Sequence, residues 1–144
     1  MLYLAQTDTT AGFLSKDSKQ INALKNRALN APCLICVAEL KTLQKFVRVP
    51  TLAKNTLRKA KKTSFIYPNK KALRMVRDHP HAKFIKKHTW LFSSSANKHG
   101  QAFNEAWARQ SVMSLGGIVV DQRLFEGKAS KIIALSRSKM KKIR

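Results

Sequence analysis

The chain has 144 residues and sets 29 Lys and Arg against 7 Asp and Glu, a formal net charge of +22, while 44% of its residues are hydrophobic. That apolar share excludes a disordered polyelectrolyte and gives one domain with its own core. The uncompensated charge calls for a polyanionic partner such as nucleic acid. No apolar run approaches the roughly 18 residues of a membrane span, and Met1-Leu2-Tyr3-Leu4 has no basic stretch of a secretory signal, so the expectation is a cytoplasmic protein with no membrane partner.

Leu2-Tyr3-Leu4-Ala5 reads as a strand, followed by a polar turn over 6–10. Asp17 is placed to cap a helix, with Gln20 completing a capping box, Ile21 and Leu24 forming its apolar face and Lys25 at its end. Residues 33–37 predict a buried strand. It contains a C-x-x-C, Cys33 and Cys36, but a zinc site wants four ligands and a redox pair wants a helix N-terminus, which gives the two thiols a structural role. Leu40, Leu43 and Phe46 predict a helix starting near Ala38.

Pro50-Thr51 opens a further helix, with Ala53, Leu57 and Ala60 on one stripe and Lys54, Arg58 and Lys61 or Lys62 on another. Residues 63–67 and 72–76 read as strands around Pro68-Asn69-Lys70, and Asp78 as the cap of a short helix entered at Pro80. Thr89-Trp90-Leu91-Phe92 forms an apolar run that opens into Ser93-Ser94-Ser95-Ala96-Asn97. A strand that ends in small polar side chains serves either as the floor of a phosphate or small-acid pocket or as a set of helix caps. Phe103 and Trp107 anchor a helix toward Leu115 that Gly116-Gly117 stops, and 118–120 and 131–135 read as strands before a basic tail over 137–144. Strands mixed with helices define an α/β or α+β single domain.

The seven carboxylates are scattered, with no pair suited to a two-metal nuclease or a glycosidase. There is no G-x-S-x-G elbow and no Walker loop, and no metal site is expected. Hydroxyls, amides, Lys and Arg remain, groups that hold phosphates and carboxylates without exchanging protons. Twelve basic residues lie between positions 54 and 87 with Asp78 as the only acid, and Lys54, Arg58, Lys61, Lys62, Lys83 and Lys87 are the candidate RNA contacts.

Six segments occur in an order that resembles one family. They are Gln6-Thr7-Asp8-Thr9-Thr10-Ala11-Gly12-Phe13, Lys25-Asn26-Arg27, Thr63-Ser64-Phe65-Ile66-Tyr67-Pro68, Ala72-Leu73-Arg74 with Asp78-His79-Pro80, Ser93-Ser94-Ser95-Ala96-Asn97 with Gly100, and the stretch from Gly127 to Ile132. Together they are similar to the signatures of the YrdC/YciO-like family, the threonylcarbamoyl-AMP synthases of tRNA modification, over nearly the whole chain. The resemblance implies residues 1–144 as a single YrdC-like domain, lacking the usual N-terminal helix, with a twisted mixed sheet, flanking helices and a basic concave groove. It also implies a nucleotidyltransferase that joins L-threonine, bicarbonate and ATP, the latter with Mg²⁺ and no permanent cofactor, into threonylcarbamoyl-AMP and pyrophosphate.

By that resemblance Lys25 and Arg27 are the catalytic pair on the triphosphate, and Thr7 and Thr9 line the substrate end. Ser64 takes the place of a family threonine, Arg74 meets the threonine carboxylate, Ser94, Ser95 and Asn97 form the shared floor, Ser130 the closing strand, and Arg144 a nucleotide contact. The implied partners are tRNA or double-stranded RNA and other tRNA-modification proteins. The chain departs from the signatures at Ala5, Gln6, Ala11, Ala28, at Ala60-Lys61-Lys62 and at His99. Those lost aromatic and proline walls keep open an alternative, a relative that has lost catalysis and binds double-stranded RNA or tRNA, and a further one, a basic ribosome-associated protein in which residues 93–97 are caps.

Overall fold

The computed structural model describes residues 1–144, an α/β arrangement of nine strands in mixed pairing, five α-helices and a 3-10 turn. In chain order the elements are β1 Leu2–Gln6, β2 Ala11–Ser15, α1 Ser18–Leu24, β3 Leu34–Val37, α2 Leu40–Leu43, the 3-10 turn Thr51–Ala53, α3 Lys54–Lys59, β4 Thr63–Ile66, β5 Ala72–Met75, α4 His81–His88, β6 Trp90–Ser95, α5 Glu105–Ser114, β7 Ile118–Val119, β8 Lys131–Leu135 and β9 Met140–Lys142. They fall into two compact units, each discontinuous in sequence: residues Met1–Cys33 with Leu91–Ala129, and Leu34–Trp90 with Ser130–Arg144.

In the first unit the strand order is β7-β1-β2-β6. The strands β1 and β2 run antiparallel from Leu2↔Ser15 to Gln6↔Ala11, and β6 lies antiparallel on the other side of β2, with Gly12↔Ser95 and Ser15↔Phe92 as partners. The strand β2 lies between the expected turn over 6–10 and the Asp17 cap, where no element was expected. Every one of its residues is buried, and a strand covered on both faces has no polar alternation to reveal it. Its Phe13 packs edge-on against Trp107 of α5, with ring centroids 5.8 Å apart, in a core with Leu2, Leu4, Ile21 and Val112. Burying such a ring contributes about 1.5–3 kcal/mol. Asp17 caps α1 as expected, accepting from the Lys19 amide at 3.0 Å. The capping box does not close, because Gln20 accepts instead from Ser15 Oγ at 2.9 Å.

In the second unit the order is β3-β5-β4-β8-β9. The pair β3 and β5 is parallel, β5 and β4 form a hairpin, β8 joins β4 in parallel and β9 returns antiparallel. The predicted helix near Ala38 shrinks to the four residues of α2, since Val47 and Val49 are β-branched and Pro50 biases its predecessor toward extended backbone. The predicted Asp78 cap is also corrected. Asp78 sits at φ 49° and pairs with Lys61, while α4 starts after Pro80 and the His79 ring accepts from the His81 amide at 3.1 Å. The strand β9 went unforeseen because all of its residues are exposed; its two lysines give the sheet edge a charge that discourages pairing with other chains. No helix is long and apolar enough to cross a membrane.

Candidate substrate-binding clusters

The first unit collects its polar candidates around the ends of α1 and β6. Lys25, the C-cap residue of α1, is buried, and its Nζ donates to the Ser95 carbonyl at 2.5 Å, to Ser95 Oγ at 3.2 Å and to Asn97 Oδ1 at 3.3 Å. Those bonds use all three ammonium hydrogens. The Ser95 hydroxyl also donates to Asn97 Oδ1, and the His99 amide donates to the Lys25 carbonyl at 3.3 Å, so α1 and the serine-rich turn are tied by side chain and backbone alike. Burial, with the Arg27 charge beside it, lowers the Lys25 pKa to about 8.

Arg27 stands in a loop organised by Asn22, a residue the sequence reading passed over. Buried on α1, Asn22 donates to the carbonyls of Leu29 and Ala31 and accepts from Arg27 Nε at 2.6 Å. A polar residue beside Ile21 on the apolar side of a helix was the available signal, because such an amide must find partners. One Nη2 hydrogen of Arg27 goes to Cys33 Sγ at 3.2 Å, which leaves other guanidinium N–H groups for an anion.

Thr7 and Thr9 form a closed turn. Thr7 Oγ1 donates to the Thr10 carbonyl at 2.6 Å and accepts from the Thr9 amide at 3.2 Å, with Thr9 Oγ1 also 3.2 Å away. Two glycines allow this packing. A Cβ on Gly12 would stand 2.9 Å from Thr7 Cγ2 and 3.2 Å from the Ser94 carbonyl oxygen, and one on Gly127 would stand 1.8 Å from the Thr9 carbonyl oxygen. Thr7 and the Ser94 backbone therefore both flank Gly12.

In the second unit, strand register places Cys36, Arg74, Ser64 and Ile132 in one cross-strand row. Side chains in such a row share a face. Ser64 and Ser130 hydroxyls lie 3.0 Å apart, and Arg144 donates through Nε to the Ser130 carbonyl at 2.9 Å and through Nη2 to Ser130 Oγ at 3.4 Å. Arg74 is buried and directs Nη2 at Cys36 Sγ, 3.8 Å away. The two cysteine sulfurs therefore each accept from a candidate arginine.

Of the expected RNA contacts, Lys54 and Arg58 lie one turn apart on α3 and Lys83 and Lys87 one turn apart on α4, all four exposed. The continuous cationic row expected across Lys61 and Lys62 is not formed. The helix ends at Lys59, Lys62 turns to φ 52°, and Lys61 Nζ pairs with Asp78 Oδ2 at 2.9 Å. No group of three or more His, Cys, Asp or Glu side chains is arranged to hold a metal ion.

The fold is YrdC/YciO-like. Solved structures that the chain resembles include a doubly substituted P. abyssi Sua5, with a TM-score of 0.85 at 18% identity over 99% of this chain and 52% of that one. P. abyssi Sua5 complexed with L-threonine matches with a TM-score of 0.77 at 18% identity over 99% of this chain and 49% of that one. E. coli YciO matches with a TM-score of 0.77 at 11% identity over 99% of this chain and 82% of that one. The chain thus spans about half the length of the Sua5 structures. No protein-family model and no curated protein matches the sequence.

Proposed function

We propose that residues 1–144 act as one threonylcarbamoyl-AMP synthase-like domain of tRNA modification. The supporting observation is the Lys25–Ser95–Asn97 cluster, with Thr7 and Ser94 both flanking Gly12, on a fold shared with a protein solved in complex with L-threonine. The amine of L-threonine adds to bicarbonate with loss of water to give a carbamate. A carbamate oxygen then attacks the α-phosphorus of ATP, forming threonylcarbamoyl-AMP as pyrophosphate leaves. The carbamate is already anionic, so the protein needs to position the reactants and neutralise charge rather than supply a strong base.

In this reading Arg27 offers its remaining N–H groups to the triphosphate, and Lys25 exchanges its two longer bonds, to Ser95 Oγ and Asn97 Oδ1, for phosphate oxygens. Thr7, Thr9, Ser94, Ser95 and Asn97 supply neutral contacts, Arg74 takes the threonine carboxylate, and Ser64, Ser130 and Arg144 contact the nucleotide. Mg²⁺ enters with ATP, held by phosphate oxygens. The modified product belongs to tRNA, which the exposed cations of α3 and α4 would attract, and the chemistry has its place in the cytoplasm alongside other tRNA-modification proteins.

A second reading, a catalytically silent binder of tRNA or double-stranded RNA, draws on the net charge of +22 and on the saturation of all three Lys25 hydrogens by the protein itself. Calorimetric titration with ATP and with L-threonine tests the choice. Saturable binding of both supports the synthase reading; RNA binding with no heat from either ligand supports the second.

A further inference from the structure

A cavity of about 980 Å³ in the second unit shares no residue with the polar clusters described above and one, Lys54, with the expected RNA contacts. Its lining includes Lys45, Arg48, Lys54 and Arg137 and no carboxylate. The strands β4 and β8 run parallel, with Ser64 and Ser130 at their starting ends, while Tyr67 and Arg137 follow their far ends. Tyr67, one of the lining residues, lies three residues or about 10 Å along the chain from Ser64.

The four cationic side chains make no ion pair and no hydrogen bond within the protein. Gathered around one hollow, they repel one another until an anion enters. The walls are held in place beforehand. Asn69 Nδ2 donates to the Phe46 carbonyl at 3.1 Å, and the Phe46 ring packs edge-on against Trp90 at 5.3 Å with Lys71 Nζ over it. Tyr67 forms another wall, and its buried hydroxyl has no partner; burial raises its pKa to about 12, so it remains a neutral donor.

Cations set among aromatic and aliphatic walls suit a ligand with a flat apolar body and several negative charges, and the volume falls at the upper end of ordinary ligand pockets. Arginine forks match phosphate geometry better than a point charge does. We propose that this cavity is a phosphate site that takes a nucleotide unit, either free or within an RNA strand. The proposal does not rest on the synthase reading, since none of Lys45, Arg48 and Arg137 belongs to the clusters assigned to threonine and ATP.

The test measures binding of a fluorescently labelled oligouridylate, and of inorganic pyrophosphate by calorimetry, to the full chain and to two variants of equal charge loss. Arg48→Ala with Arg137→Ala should weaken whichever probe binds by about tenfold or more, whereas Lys141→Ala with Lys142→Ala on β9 should cost less than about threefold. Displacement of the oligouridylate by pyrophosphate at submillimolar concentration identifies a free phosphate compound as the ligand; failure to displace it identifies the strand. Lys45→Gln with Arg48→Gln repeats the test should the first pair unfold, as judged by thermal melting. Equal losses in the cavity and β9 variants, or no binding of either probe, overturn the proposal.

Discussion

Lys25 Nζ lies 2.5 Å from the carbonyl oxygen of Ser95, seventy residues away in sequence. The contact joins the end of α1 to the end of β6 within one unit, and it places a buried positive charge beside the hydroxyls and amide that would floor an ATP site. Replacing Lys25 with Ala removes charge-assisted contacts worth on the order of 1.5–3 kcal/mol, so ATP affinity should fall at least about tenfold. RNA affinity should hardly change. Parallel titrations with ATP and tRNA check this, and an equal loss of both would make Lys25 part of a general basic surface.

The same lysine sets a pH dependence. Its folded pKa near 8 lies below the ordinary lysine value of 10.5, so the cation is present at neutral pH and is lost as pH rises through 8. Phosphate binding favours the charged form. ATP affinity should weaken between pH 7.5 and 9, and binding near pH 8 should take up protons, seen as heats that vary with the ionisation enthalpy of the buffer. Arg27→Ala, which removes a charge that depresses the Lys25 pKa, should move that proton uptake to higher pH, and Lys25→Ala should abolish it.

His81 gives a separate signature in stability. Burial, with the charges of Arg74 and His79 nearby, lowers its pKa to about 3 from 6.5. The unfolded chain binds this proton below pH 6.5 while the folded chain refuses it until about pH 3. Stability is therefore complete above pH 6.5 and falls through that window, by an amount on the order of a few kcal/mol. Melting temperatures of the wild type should drop on acidification from pH 7 to 4, and His81→Leu should flatten that slope. An identical slope in the variant would sink the assignment.

Gly127 approaches the Thr9 carbonyl so closely that a Cβ would stand 1.8 Å away. Gly127→Ala must push back the turn that holds Thr7 and Thr9, at a cost of about 1–3 kcal/mol. Chemical denaturation should show that loss, whereas Gly100→Ala, whose added Cβ meets nothing within 4 Å, bears only the strain of a positive φ and should cost less.

The exposed cations of α3 and α4 should bind RNA electrostatically. The logarithm of affinity should fall against the logarithm of salt by about 0.7 to 0.9 per phosphate neutralised, and replacing Arg58, Lys83 and Lys87 with Ala should reduce that slope by about 2 to 3. Affinity for tRNA that is unchanged between low and moderate salt would show the charge excess to be incidental.

Much of the fold could be read from the chain because its elements have solvent on one face. Asp17 before Ile21 and Leu24, the hairpin around Pro68-Asn69, and the run into Ser93 all carry periodicity or turn chemistry that local physics interprets. The strand β2 could not be read so, being buried on both sides with Gly12 in its middle, and α2 was overestimated because Leu40 and Phe46 mimic a helical stripe that Val47 and Pro50 cut short. Among the candidate residues, Lys25, Ser95 and Asn97 were found by order of motifs, and the structure brings them within hydrogen-bonding distance. Asn22 and Gly127 were missed, since their roles lie in contacts to a loop and to a carbonyl that no local pattern records. The cationic row on α3 failed at Lys61 and Lys62 because a helix face extrapolated past its last residue has no physical meaning.

On the proposed reading, this chain activates threonine as a carbamoyl adenylate. The direct measurement is pyrophosphate release from ATP and Mg²⁺ by the purified 144-residue chain, with L-threonine and bicarbonate added together and each omitted in turn. The reading requires release that depends on both co-substrates and is lost in Arg27→Ala. Folded protein that binds tRNA yet releases no pyrophosphate with all substrates present would contradict it and leave the RNA-binding relative in its place.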